Sequence, residues 1–244
     1  MRVSVCMTTF NAGRYLAPQI QSILRQLDAQ DELIICDDGS EDTTTSRLAE
    51  YADPRVRIFM NRFRHVTRNF DFALHQARGR FIFLSDQDDE WYPNKLERMI
   101  NALDRYDLVV SDCEVVDEAG ALIAPSYFAL NHSRLGMGAN LWRNSYLGCC
   151  MAFRSRLLDC ALPIPRDVPH DMWIGLVCEM VGTPGLLPER LMRFRRHSAT
   201  SSYAGRRSRR SLYAKLASRV SVATRLAGRY LRCRSALGST SRGT

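Results

Sequence analysis

Residues 81–91 have the sequence FIFLSDQDDEW, which is the most informative part of the chain about its fold. Four consecutive apolar residues are followed, within the next six positions, by four carboxylates. An unbroken apolar run of this kind is typical of a strand buried on both faces of a parallel sheet. Crowded carboxylates repel one another unless a cation neutralises them, and their hard oxygen atoms suit Mg²⁺ or Mn²⁺. The stretch therefore predicts a buried strand ending at a divalent metal site; a solvated acidic loop is the alternative.

Similar short apolar runs lie on both sides of this stretch, at Val3–Met7, Leu33–Cys36, Val56–Phe59 and Leu108–Val110. Between them, apolar residues recur at the three- and four-residue spacing of amphipathic helices. Strands that alternate with helices predict right-handed βαβ units and a mainly parallel sheet. Ligands of such sheets bind at the carboxyl ends of the strands, so polar residues at those ends are candidate site residues.

A second polar cluster, IICDDGSEDT at residues 34–43, follows another apolar strand. A carboxylate of Asp37 or Asp38 at that strand end can accept hydrogen bonds from a nucleotide base or from ribose hydroxyls. Turn and helix-cap chemistry explains Gly39 and Ser40, and it is the alternative for the aspartate pair.

The composition is that of an ordinary globular protein, with 45% hydrophobic and 25% charged residues in a chain of 244. No apolar run is long enough for a membrane-spanning helix, and the N-terminal residues lack the apolar region of a signal peptide. The eight cysteines include no Cys-x-x-Cys pair, which favours free thiols in a reducing compartment. We therefore expect a cytoplasmic location.

The net charge is −7 over residues 1–189 and +15 over residues 190–244. Residues 206–234 combine arginines with an apolar helical face, which predicts a helix lying on an anionic membrane surface, with the protein peripheral on the inner face of the cytoplasmic membrane. That face comprises Leu212, Leu216, Val220, Ala223, Ala227, Tyr230 and Leu231. A helix docked on the acidic body is the alternative. Few aromatic residues accompany the arginines, so no nucleic-acid partner is expected, although a nucleic-acid-binding module remains a rival class.

Three motifs occur together in this order: TTFN at residues 8–11, CDDGS at 36–40, and LSDQDD at 84–89, the last followed by Pro93 and Leu96. Their combination resembles the inverting family-two glycosyltransferases with the GT-A fold. The resemblance implies an α/β fold of GT-A type, with a mainly parallel sheet flanked by helices, to which the residue pattern adds a C-terminal amphipathic basic helix.

This resemblance is close over about residues 3–112 and looser to about residue 200. Together with the residue pattern of the C-terminal part, it predicts three segments: a GT-A domain at residues 1–204, with a nucleotide-sugar half (1–112) and an acceptor half (113–204), a basic helix (205–234), and a disordered tail (235–244).

The same resemblance implies roles for individual residues. A divalent ion, Mn²⁺ or Mg²⁺, would stabilise the charge on the leaving diphosphate, with Asp88, Asp89 and His197 as its ligands. The nucleotide-sugar pocket would be lined by Thr8, Thr9, Asn11, Asp37, Asp38, Arg68, Asp86 and Gln87.

The segment PHDMW at residues 169–173 supplies the candidate catalytic base. An acceptor hydroxyl is a poor nucleophile, so a carboxylate must take its proton, and the resemblance implies that this is Asp171. Trp173 would contact the acceptor sugar. From the residues alone, Asp171 is better explained as a helix cap, and Trp173 is equally explained as a core residue.

The activity implied is metal-dependent inverting transfer of a single sugar from a nucleotide-sugar donor to a glycan or lipid-linked acceptor, in cell-surface polysaccharide biosynthesis. The chain lacks the Gln-x-x-Arg-Trp motif of processive synthases, which favours one sugar per acceptor. Asn69-Phe70, the block at residues 85–91 and the segment HDMW at residues 170–173 resemble bacterial rhamnosyltransferases, which favours dTDP-rhamnose over UDP-glucose or UDP-galactose. A nucleotidyltransferase is the rival enzyme class, but residues 8–13 contain one glycine and no lysine.

Overall fold

The computed structural model describes residues 2–196 and 212–240, with the backbone alone for 212–216, 218 and 234–240. Its strands are β1 Val3–Thr9, β2 Glu32–Asp37, β3 Val56–Met60, β4 Phe81–Ser85, β5 Glu90–Trp91, β6 Leu108–Val116, β7 Leu122–Ala124, β8 Met151–Arg154 and β9 Pro184–Arg195. Its α-helices are α1 Leu16–Leu24, α2 Thr44–Ala49, α3 Val66–Gln76, α4 Lys95–Ala102, α5 Tyr127–Asn131, α6 Met137–Trp142, α7 Leu158–Ala161, α8 His170–Val181 and α9 Leu212–Thr240.

The strands form one mixed sheet in the order β3-β2-β1-β4-β8-β6-β9-β5, with β7 paired to β6. The first four strands in this order are parallel, as are β6 and β9, whereas β8 runs antiparallel to both of its neighbours. The predicted α/β architecture, with a mainly parallel sheet flanked by helices, is confirmed.

The register of β1 against its neighbours brings the polar strand ends together. Thr9 lies opposite Asp37 of β2, and Met7 lies opposite Ser85 of β4. The two polar clusters and the TTFN segment therefore meet at one edge of the sheet, because parallel strands end on the same side. Apolar side chains along these strands are fully buried and form the core.

Two segments between β7 and α7 lack a clear pattern in the sequence. Residues 125–145 contain α5 and α6, and the Ser126 hydroxyl caps α5 by accepting a hydrogen bond from the Ala129 N–H. Further along, a 3-10 turn at Gly148–Cys150 precedes β8. A Cβ at Gly148 would lie 2.9 Å from Nε2 of His170, so this turn depends on glycine.

Helix α9 packs on the body through Val222, Leu226 and Cys233, all nearly fully buried. The apolar face predicted from the sequence is a different one, and it is exposed: Val220 is 62% exposed and Leu231 is 69% exposed. One face of α9 is thus docked on the body, while its other apolar face points outward. The helix continues to Thr240, past the predicted boundary at residue 234, whereas the boundary at residue 204 lies outside the described residues and stays a prediction.

Across residues 2–196 and 212–240, no helix combines the length and apolarity that crossing a bilayer requires. All eight cysteines are buried free thiols.

Candidate active site

The ends of β1 and β2 are held together by the Asp37 carboxylate. It accepts hydrogen bonds from the Thr9 hydroxyl at 2.9 Å, the Gly39 N–H at 3.0 Å, and both the N–H and the hydroxyl of Ser40. Asp37 is fully buried and both of its oxygens are engaged. Asp37 therefore shapes the loop, and its direct contact with the nucleotide stays a prediction.

Asp38 organises the segment that leads into α3. Its carboxylate accepts hydrogen bonds from three consecutive backbone N–H groups, those of Phe63, Arg64 and His65, at 2.5–2.9 Å. The guanidinium of Arg68 lies over the Phe63 ring at 4.6 Å. Asp38 thereby links the end of β2 to the segment that contains Arg68. Thr8 is half-buried and lies near the end of β1, at the same edge of the sheet.

A side-chain clamp joins the TTFN segment to the acidic loop. The Gln87 side chain accepts a hydrogen bond from the Phe10 N–H at 2.6 Å and donates one to the Phe10 carbonyl oxygen at 3.0 Å. Asn11 adopts a left-handed backbone with φ 51° and accepts a hydrogen bond from the Glu41 N–H. Both predicted nucleotide-contacting residues thus bridge the loops around the strand ends.

The acidic loop after β4 is crowded and poorly solvated. Burial, followed by the negative charge of Asp88, raises the pKa of Asp86 to about 7. Burial and the charges of Asp88 and Asp86 also raise the pKa of Asp89 well above its ordinary value. These directions indicate that the loop concentrates negative charge where water screens it only in part, so a cation would stabilise it.

A metal-binding donor set is present in this loop. Ligand atoms of Asp86, Asp89 and Cys149 lie within 4.8 Å of one another. Oδ1 of Asp89 accepts a hydrogen bond from the Arg195 N–H, while its buried Oδ2 has no hydrogen-bond donor among the described residues. The two carboxylates suit a hard divalent ion such as Mn²⁺ or Mg²⁺, whereas a thiol ligand is better suited to a softer ion.

This donor set differs from the predicted ligands Asp88, Asp89 and His197. Asp89 is common to both sets, Asp86 was predicted as a nucleotide contact, and Cys149 replaces a predicted histidine. Asp88 lies in the same loop and is 8% exposed. His197 lies outside the described residues, so its role as a ligand stays a prediction.

Two residues of the site have no role in the sequence-based predictions. Cys149 is one; the other is Lys95, whose Nζ is fully buried and donates to the Cys149 carbonyl oxygen at 2.6 Å. The positive charge of Lys95 lowers the pKa of Asp86, against the stronger effects that raise it. The position of Lys95 shortly after the acidic run was the one sequence signal for a role in the site. Because Lys95 begins an amphipathic helix, the same signal is equally compatible with a solvent-exposed lysine.

Asp171 lies in the first turn of α8 and faces the acidic loop. Burial raises the pKa of Asp171 to about 6, while hydrogen bonds from the Met172 and Gly148 backbone N–H groups and from Asn144 act in the opposite direction. The negative charge of Asp171 in turn contributes to the raised pKa of Asp86. A carboxylate with a pKa near neutrality is suited to take a proton.

Trp173 does not face this site. Only 1% of its surface is exposed, and its indole N–H donates to the Ala161 carbonyl oxygen at 2.7 Å. Its burial favours the core-residue alternative, and the contact of Trp173 with an acceptor sugar stays a prediction.

The sheet topology and the acidic cluster at its carboxyl edge define an α/β protein of GT-A-like fold. A family model described as glycosyl transferase family 2 matches residues 4–162, and the chain therefore belongs to that family. This membership favours the glycosyltransferase interpretation over the nucleotidyltransferase and nucleic-acid-binding alternatives.

Individual proteins agree with this assignment. WfgD of Escherichia coli, a UDP-Glc:alpha-D-GlcNAc-diphosphoundecaprenol beta-1,3-glucosyltransferase, is 28% identical over 183 residues, which are 72% of this chain and 69% of WfgD. TuaG of Bacillus subtilis, named for teichuronic acid biosynthesis, is 36% identical over 103 residues, 40% of each chain. The crystal structure of Staphylococcus aureus TarS 1–349 with UDP-GlcNAc superposes with TM-score 0.67 at 18% identity, covering 83% of this chain and 62% of that one.

Proposed function

We propose that the protein transfers a single sugar from a nucleotide-sugar donor to a glycan or lipid-linked saccharide, with inversion, in surface polysaccharide synthesis. The observation that carries this proposal is the placement of Asp171 beside Gly148, whose neighbour Cys149 belongs to the donor set with Asp86 and Asp89. A base for the acceptor hydroxyl and a cluster suited to a donor-bound cation therefore share one site.

The proposed division of labour follows from the residues present. Asp171 takes the proton of the attacking hydroxyl, and its pKa of about 6 leaves it mostly ionised at neutral pH. Asp86 and Asp89, with Asp88 beside them, would hold a divalent ion, which would supply charge stabilisation for a departing diphosphate. Thr8, Thr9, Asn11, Asp38, Arg68 and Gln87 surround the edge at which the nucleotide would bind.

The donor and acceptor classes rest on different supports. The rhamnosyltransferase resemblance favours dTDP-rhamnose, whereas the name of WfgD supports UDP-glucose, so we propose a dTDP- or UDP-linked hexose or deoxyhexose. The same name supports an acceptor whose saccharide is carried on a lipid diphosphate.

A lipid-linked acceptor requires access to a membrane, and α9 offers a surface for it. Val220, Ala223, Ala227 and Leu231, here called the outer stripe, are exposed along one face of this helix. We propose that the outer stripe enters the interface of an anionic bilayer while arginines of α9 interact with its headgroups.

A thermal-shift screen of nucleotide sugars, with and without Mn²⁺, tests the proposed function. We expect one nucleotide sugar to raise the melting temperature strongly only when Mn²⁺ is present, because a ligand stabilises the folded state to which it binds. The stabilising compound is then tested for transfer to saccharide acceptors. Absence of stabilisation by every dTDP- and UDP-sugar in the presence of Mn²⁺ would contradict the proposal.

A further inference from the structure

Lys95 is a charged side chain in the protein interior that has no part in the proposed reaction. It begins α4 and is fully buried. Lysine is seldom fully buried, because removing an ammonium group from water is unfavourable unless nearby groups compensate its charge. The chain has 34 lysines and arginines together, and only Lys95 and Lys215 are lysines. A buried lysine in a chain that otherwise uses arginine indicates a requirement for an ammonium group at this position.

The surroundings of Nζ suit an ammonium group better than a neutral amine. Nζ lies 2.6 Å from the Cys149 carbonyl oxygen, 2.8 Å from Sδ of Met192 and 4.5 Å from the centre of the Trp91 ring, over its face. An ammonium group has three N–H donors and no acceptor, and a carbonyl oxygen, a thioether sulfur and an aromatic face all attract such donors. None of these contacts offers a donor to the lone pair of a neutral amine. The geometry therefore favours a positively charged Nζ.

An arginine would not suit these surroundings as well. A guanidinium group is planar and carries five N–H donors in a fixed fork, whereas three electron-rich groups converge on Nζ here. Lysine provides a compact charge that a small buried site can enclose. The three contacts are with uncharged groups, so the charge of Lys95 is balanced over a longer distance.

The acidic loop takes part in that balance. The positive charge of Lys95 acts on the Asp86 carboxylate in the direction that favours its ionised form. The carbonyl oxygen of Cys149 contacts Nζ, and Sγ of the same residue belongs to the donor set with Asp86 and Asp89. Because one residue provides both atoms, Nζ lies within ~10 Å of a cation held by that set. The ammonium group therefore attracts the acidic loop and repels a cation bound there.

We propose that Lys95 is a resident counter-cation of the acidic loop. It neutralises part of the charge of the loop while no metal is bound, and it weakens the binding of the divalent ion, so that the ion leaves readily with the diphosphate product. Lys95 acts on the ion through its charge, without contact with either substrate. The proposal rests on the proposed function for the metal and its diphosphate.

Mn²⁺ titration of Lys95→Met, followed by electron paramagnetic resonance of the free ion, tests the proposal. Methionine keeps most of the apolar volume of the side chain and removes its charge. We expect the variant to bind Mn²⁺ at least about tenfold more tightly than the wild type. A tenfold ratio is about 1.4 kcal/mol, which is less than the repulsion of a divalent and a monovalent ion ~10 Å apart inside a protein. A role of Lys95 in packing alone predicts the opposite sign, because a disturbed loop binds the ion less tightly.

Met192→Leu is the matched control. Met192 is fully buried and contacts the same Nζ, so this substitution disturbs the packing around Lys95 while the charge remains. Its Mn²⁺ affinity should match that of the wild type. Equally tightened binding in Met192→Leu would show that repacking is the cause, and would overturn the proposal.

Nuclear magnetic resonance with isotopically labelled lysine tests the charge while Lys95 is in place. The chain gives only two lysine side-chain signals, and Lys215→Arg leaves that of Lys95 alone. We expect an ammonium signal at neutral pH, and we expect Mn²⁺ to broaden it strongly because paramagnetic relaxation falls steeply with distance.

Weaker or unchanged Mn²⁺ binding by Lys95→Met, with intact binding by the wild type, would overturn this proposal alone. A neutral amine at Lys95, or an ammonium signal that bound Mn²⁺ leaves unchanged, would also overturn it, even if Lys95→Met did not fold. Failure of the wild type itself to bind Mn²⁺ would overturn the metal part of the proposed function together with this proposal.

Discussion

The backbone N–H of Arg195 donates a hydrogen bond to Oδ1 of Asp89 over 3.0 Å, and so fixes the carboxylate of the acidic loop against the end of β9. The second oxygen of Asp89 is buried without a donor from any described residue. One oxygen therefore orients the side chain while the other is available to a cation. The neighbouring Arg195 side chain donates to the Asp88 carbonyl oxygen, which holds the loop from the same side.

We expect Asp89→Asn to weaken Mn²⁺ binding by at least about 100-fold, because a neutral amide oxygen replaces an anionic ligand. Even the loss of a residue that only hydrogen-bonds to a metal ligand typically lowers metal affinity by about 10- to 100-fold. The metal-free variant should be no less stable than wild type, since burial of the ionised Asp89 is unfavourable, as its raised pKa shows. Electron paramagnetic resonance of free Mn²⁺ measures the binding.

Asp88→Asn, measured alongside, distinguishes the two ligand sets. A larger loss of Mn²⁺ binding in Asp88→Asn than in Asp89→Asn would favour the set expected from the sequence. Asp104→Asn, at an exposed position remote from the loop, should bind Mn²⁺ as wild type does.

Asp171→Asn should lower the transfer rate by about 10²–10⁴-fold, because an amide cannot take the acceptor proton. Donor affinity should be unchanged, since the proposed contact of Asp171 is with the acceptor hydroxyl. Steady-state transfer and donor titration measure the two quantities, with Asp159→Asn as an exposed control in α7. Wild-type transfer by Asp171→Asn would return this residue to the role of a helix cap.

The stability of the metal-free protein should depend on pH through Asp86. Its pKa of about 7 in the folded state exceeds that of an ordinary aspartate, so the folded state holds the proton more strongly than the unfolded chain does. This contribution to stability is complete below about pH 4 and is lost as the pH rises to about 7.

Buried His170 acts in the opposite direction, because its pKa is lowered to about 3 and its stabilising neutral form is lost as the pH falls. The measurement is therefore the difference in unfolding free energy between wild type and Asp86→Asn from pH 4 to 7.5. We expect the variant to gain stability relative to wild type as the pH rises. Parallel curves would show that Asp86 does not carry the raised pKa.

The double substitution Val220→Ser with Leu231→Ser should release the protein from anionic vesicles. Full burial of an aliphatic side chain contributes about 1.5–3 kcal/mol, so we expect at least about a tenfold loss in vesicle affinity. Co-sedimentation measures it, with Thr224→Ser as a control on the exposed side of the same helix. The fold should be unaffected because neither residue is buried. Unchanged binding would exclude the outer stripe as the membrane contact.

Much of the fold was predictable from the sequence because the signals are local. Apolar runs and helical spacing identify the parallel strands and the helices that follow them, and their alternation restricts the topology. The acidic loop after β4 and the start of α8 were also predictable, since carboxylates at strand ends and helix starts stand out against apolar neighbours. Asp86, Asp89 and Asp171 are all candidate site residues on these grounds.

The sequence by itself determined the α/β alternation and the polar strand ends, because both depend on residues close together in the chain. Only the tertiary structure shows which polar groups are free to bind a ligand. The Thr9 hydroxyl, 28 residues away in the chain, donates one of the hydrogen bonds that occupy the Asp37 carboxylate. Cys149 lies beside the acidic loop although it belongs to a turn far away in the chain. The tertiary structure also decided which side of α9 is covered. That helix has apolar residues on two faces, and periodicity cannot show which one meets the body.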